Sequence, residues 1–154
     1  MATELAASYE KLQKKYGLPD FGELDREFEI STIDEENFLL REIRRKINDR
    51  IKLFCEVLER IMQPDQNMAD LHEVKEFSYA EIADLFILYR KLMSSGRDAL
   101  ISGIERNEKR DAQFINDFYK EYPEIKKSMS AIAERLKKSW SSKGVQDDHP
   151  GYLG

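Results

Sequence analysis

The run "STIDEENFLLREIRRKINDRIKLFCEVLERIMQP", residues 31–64, decides the fold. Leu40, Ile43, Ile47, Ile51, Phe54, Leu58 and Ile61 recur at steps of three or four, the period of one face of an α-helix. Thr32 followed by Glu35 has capping-box spacing, and Pro64 cannot continue a helix. The pattern predicts a helix over 33–63, about 46 Å long at ~1.5 Å per residue, which is long enough to be the spine of a bundle.

On the N-terminal side, Leu5, Tyr9, Leu12 and Tyr16 mark a helix over 3–16 with Thr3 as its cap and Gly17 at its end. A shorter helix over 20–28 follows, with Asp20 placed to cap it and Phe21, Leu24 and Phe28 on one side. On the C-terminal side, Met68, Leu71, Val74 and Phe77 make a short helix over 68–77. Ser78 and Glu81 offer a second capping box for a long helix over 79–121. Within that helix, "SSGRD" at 94–98 suggests a kink or break near 94–97, or else a close approach of a neighbour at Gly96, Ala99 and Gly103. Tyr122-Pro123 reads as a boundary, because the residue before proline avoids the helical region. A last helix over 123–140 carries Ile125, Met129, Ile132, Leu136 and Trp140, and 141–154 reads as a tail. No segment alternates as a strand would, so the expected fold is all-α: one domain, an antiparallel bundle built on two long helices.

The bulk composition narrows the function. A chain of 154 residues with net charge −5 and a single cysteine has room for one domain, no internal disulfide and no overall attraction for nucleic acid. A reducing, cytoplasmic setting is expected, with no membrane span. Charge is uneven, however. "REIRRKINDRIK" at 41–52 holds six bases against two acids, and 126–143 holds six against one. Such runs are ordinarily solvated helix faces. A polyanion-binding reading would use Arg41, Arg44, Arg45, Lys52, Lys126, Lys127, Lys137 and Lys138.

Familiar catalytic motifs are not found in the sequence, and His72 and His149 both read as surface residues. Carboxylates remain. Glu56-x-x-Glu59 lies near the end of the spine and Glu81-x-x-Asp84 near the start of the next long helix. In an antiparallel hairpin those ends are neighbours, and acids at i and i+3 share a helical face. The pair of motifs, in "CEVLE" and "EIADLFILY", resembles the signature of the all-α nucleoside triphosphate pyrophosphohydrolases of the MazG-like family. Cys55-Glu56 stands where that family often shows paired glutamates. The resemblance implies Glu56, Glu59, Glu81 and Asp84 as ligands of Mg²⁺, with hydrolysis of a nucleotide pyrophosphate linkage. The residues themselves also read as solvated acids.

"EIADLFILY" at 81–89 raises a separate expectation. Ile82 to Tyr89 is apolar except at Asp84, and a helix apolar all round is covered on more than one side. Cover can come from another helix or from a second subunit. The reading that results is a non-enzymatic interaction or scaffold protein of helical-bundle or coiled-coil type, partnered by a copy of itself or by another protein, with no cofactor. The Mg²⁺-dependent pyrophosphohydrolase and the polyanion binder are the alternatives.

Overall fold

The computed structural model describes the backbone of residues 2–141 and the side chains of 4–141. The expected cap at Thr3, His149 and the tail beyond Ser141 lie outside those side chains. Among the described residues six α-helices follow in chain order: α1 Ala2–Tyr16, α2 Phe21–Phe28, α3 Leu39–Met62, α4 Met68–Val74, α5 Tyr79–Glu105 and α6 Glu108–Ser141. Among the described residues there is no strand, and the fold is all-α, with helices packed on one another.

The spine behaves as its period demands. Leu40, Ile43, Ile47, Ile51, Leu58 and Ile61 of α3 are all buried, joined by Cys55. α5 runs antiparallel to α3: Ile51 lies by Gly96, Cys55 Sγ reaches Met93 Sδ, and Tyr89 hydrogen-bonds Glu59. α6 runs parallel to α3, since Arg44 meets Asp111 and Arg50 meets Tyr122 further along both helices. The bundle is therefore built on three long helices rather than two. α1 and α2 close one side of it, where Tyr9 packs edge-on to Phe21 and Phe28 joins the Phe114, Phe118, Tyr122 row. α4 bridges the ends of α3 and α6 through His72 Nε2 and the Ser139 carbonyl, 2.9 Å apart.

Several boundaries differ from expectation, each for a physical reason. The spine starts at Leu39 because the Thr32–Glu35 box does not form. Thr32 Oγ1 donates instead to the Glu29 carbonyl, and the Glu35 carboxylate accepts from Asn37 N–H. Glu29 sits in the left-handed region at φ 55°, turning the chain so that Ile30 is fully buried. By contrast, the caps at Asp20 and Ser78 form, the latter as a complete capping box with Glu81. α4 ends at Val74 rather than 77.

The expected helix over 79–121 is two helices. Arg106, at φ 52°, ends α5 in a left-handed cap, and Asn107 Oδ1 accepts from Arg110 N–H to start α6. The polar run "ERNEKRD" at 105–111 interrupts the apolar stripe there. There is no break near 94–97. α5 continues through Gly96, where an added Cβ would make an ordinary 3.7 Å contact with Ile51; the close approach is at Gly103, where a Cβ would stand 3.0 Å from the Arg44 guanidinium. Nor does Pro123 end a helix; it lies inside α6. Proline there leaves the Tyr119 carbonyl without its helical N–H at a cost of roughly 3 kcal/mol. Phe118, Tyr122, Ile125 and Met129 are buried on either side of it, each contributing about 1.5–3 kcal/mol, so packing outweighs the lost bond.

The Arg106 cap carries a prediction. A non-glycine residue in the left-handed region is disfavoured, so Arg106→Gly is expected to stabilise the fold by up to about 1 kcal/mol, raising the melting temperature by about 2–4 °C. A fall in melting temperature would show that the arginine side chain itself holds the turn.

Candidate functional site

The four acids proposed as metal ligands are separated by the register of α3 against α5. Tyr89 is the residue level with Glu59, donating its hydroxyl to Glu59 Oε1 at 2.8 Å. Glu81 lies eight residues earlier, about 12 Å further along the axis and beyond the last turn of α3. Its carboxylate is already engaged. Oε1 accepts the Ser78 N–H of the capping box, and Oε2 receives Arg135 Nη1 at 2.5 Å. The Arg135 hydrogen bond, with that of the Ser78 backbone, holds the Glu81 carboxyl down to about 2. Glu56 and Asp84 are both exposed, on different helices. Among the described residues no group of three or more His, Cys, Asp and Glu is placed to hold a metal ion. Adjacent helix ends alone do not make the acids converge; α4 and the long N-terminal overhang of α5 push the second motif past the first.

The eight bases do not form one patch either. Arg41 stacks its guanidinium 4.1 Å over Phe38, and Arg45 pairs with Glu42 at 3.0 Å. Arg44 is taken up inside the bundle, between Asp111 and the Ala99 carbonyl. Lys126 pairs with Glu27 at 2.5 Å. Lys52, Lys127, Lys137 and Lys138 are exposed. Because α3 and α6 run parallel with Arg50 level with Tyr122, Lys137 stands about 20 Å along the bundle from Lys52.

His72 differs from its expected surface role. It is partly buried, bonded to the Ser139 carbonyl and packed at a tilt of 36° against Trp140 with ring centroids 4.1 Å apart. Trp140 in turn donates its indole N–H to Glu73 at 2.9 Å. This cluster pins the end of α6 to α4, a structural task that explains both side chains. Cys55 is buried as a small hydrophobe, and burial pushes its thiol up to about 11.

The feature that the bundle covers only in part is a flank of α5. Leu85, Leu92 and Ala99 form its core seam. Phe86, Met93 and Leu100 each follow one residue later, about 100° round the helix. With Tyr79, Ile82, Tyr89 and Ile104 they make a second apolar stripe at helical spacing. Phe86 is 50 % exposed and Ile104 72 %. The expected cover on more than one side is supplied within the chain by α3 and α6, and it leaves Phe86, Leu100 and Ile104 exposed. Between this stripe and α3 runs a groove of about 630 Å³, floored by Leu92, Gly96 and Ala99 and walled by Lys52, Glu56 and Arg97. No helix among the described residues is long and apolar enough to cross a membrane. Comparison of the chain with protein-family models, with curated proteins and with solved structures finds no match.

Proposed function

We propose that this protein is a helical interaction module, non-enzymatic, whose working surface is the α3–α5 groove and the apolar flank of α5. One observation supports this above the others: beside its core seam α5 carries a second apolar stripe, of which Ile82, Tyr89 and Met93 lean on the core while Phe86, Leu100 and Ile104 stay half or more exposed. Apolar residues scattered singly on a surface are normal, whereas a contiguous stripe beside a concave floor is the form of a helix-binding surface. The neighbouring α3 wall supplies charge at the rim, where a polar border to an apolar centre is usual.

Photo-crosslinking tests this. With benzoylphenylalanine at position 86 or 104, irradiation in cells is expected to give a discrete adduct, while the same group at exposed position 124 on α6 gives none. Equal labelling at 124, or no adduct at 86 and 104, would remove the assignment of this surface.

A further inference from the structure

We propose that the occupant of the α3–α5 groove is a second copy of this chain, related by a two-fold axis that reverses the helices so that α5 packs on α5 and α3 on α3. The proposal rests on the reading of the groove as an interaction surface and adds the identity of the partner.

Charge along the groove is ordered. Of the exposed charged residues that line it, Lys52 of α3 and Arg97 of α5 stand on one level, and Glu56 and Glu59 lie one to two turns further along α3. A wall that is basic at one end and acidic at the other is complementary to its own reverse. When the axis crosses α3 near residue 54, Lys52 of each copy stands level with Glu56 of the other. Arg97 of α5, one residue from the Ile51–Gly96 contact, stands level with Lys52 and adds to the basic set that meets the acids of the second copy.

The apolar flank suits the same operation. Phe86 and Ile104 lie toward opposite ends of the stripe, with Met93 between them. Reversal about its middle therefore sets Phe86 of each copy toward Leu100 and Ile104 of the other, apolar on apolar throughout. The stripe is about 38 Å long, and with α3 beside it the footprint approaches roughly 700 Å² per copy, near the ~800 Å² of an ordinary stable interface. A parallel arrangement would instead face bases with bases on α3.

The test uses two full-length variants and their mixture. K52E/R97E makes the exposed charge of the groove wholly acidic, and E56K/E59K makes it wholly basic. Each alone is expected to dissociate, its self-association weakened about ten-fold or more, with the helical fold retained by circular dichroism. Mixed in equal amounts, they are expected to form a heterodimer of near wild-type affinity, because an acidic wall then meets a basic one. Wild-type-like self-association of either variant, or no recovery on mixing, would overturn the proposal. So would a wild-type chain that stays monomeric. In that last case an adduct from position 86 with a different protein leaves the groove reading standing, and the absence of any adduct removes both.

Discussion

Replacing Arg44 by methionine is expected to lower stability by about 3–5 kcal/mol, because it leaves the Asp111 carboxylate buried without its cation. Arg44 Nε meets Asp111 Oδ1 at 2.8 Å, and the two side chains are 11 % and 8 % exposed. The second donor, Nη1, holds the Ala99 carbonyl at 3.1 Å and lies 3.0 Å from where a Cβ on Gly103 would stand. One guanidinium thus ties α3 to both α5 and α6. Urea denaturation measures the loss. The double change Arg44→Met with Asp111→Leu is expected to recover most of it, since an apolar pair of similar volume removes the desolvated charge as well.

The pH dependence has a definite sign. Burial raises the Asp111 carboxyl above its ordinary 3.8, against the lowering effect of Arg44. Without Arg44 the folded carboxyl is raised further. An acid whose folded value lies above its unfolded one destabilises increasingly as pH rises past the unfolded value. The deficit of the Arg44→Met protein therefore grows toward neutral pH and shrinks as pH falls toward 3.8. A loss under about 1 kcal/mol at neutral pH would mean that water reaches Asp111 once the arginine is gone.

The second large effect is on association. Phe86→Asp with Ile104→Asp places two charges in the apolar stripe without touching the core seam of Leu85, Leu92 and Ala99. A charge buried without a partner in an interface centre costs several kcal/mol, so the dissociation constant is expected to rise by about 100-fold or more. Stability of the single chain is expected to change by less than about 0.5 kcal/mol per site, the usual range for exposed positions. This combination separates an interface role from a packing role. Residues that serve the core lose stability when charged; residues that serve a partner lose the partner.

Much of the fold is legible in the sequence because local signals and packing agree. The α3 seam from Leu40 to Ile61 is periodic and buried, and the caps at Asp20 and Ser78 satisfy N–H groups that have no helical partner. Legibility fails where one conformation of one residue redirects the chain. Arg106 ends α5 in a left-handed geometry that arginine does not advertise, and Asn107 is the sole conventional capping signal beside it. Pro123 misleads in the opposite sense, since a strong local rule yields to four buried neighbours.

The site is less legible, for a reason of register. Spacing places Glu56 with Glu59, and Glu81 with Asp84, on shared faces, but whether two such faces meet depends on how α5 slides along α3. The Tyr89–Glu59 contact marks that slide, and the register carries Glu81 to Arg135 instead. The apolar run of "EIADLFILY" is more informative. Its width around the helix signals cover on more than one side; α3 and α6 both pack on α5, and Phe86 and Ile87 are left exposed.

Sedimentation equilibrium of the wild-type chain beside the Phe86→Asp, Ile104→Asp variant, over a rising series of concentrations, tests the account most directly. The wild-type mass is expected to climb from 18.1 kDa toward twice that value, while the variant stays at 18.1 kDa with an unchanged melting temperature. A wild-type mass that holds at 18.1 kDa throughout, or a variant that dimerises as readily as the wild type, would contradict it.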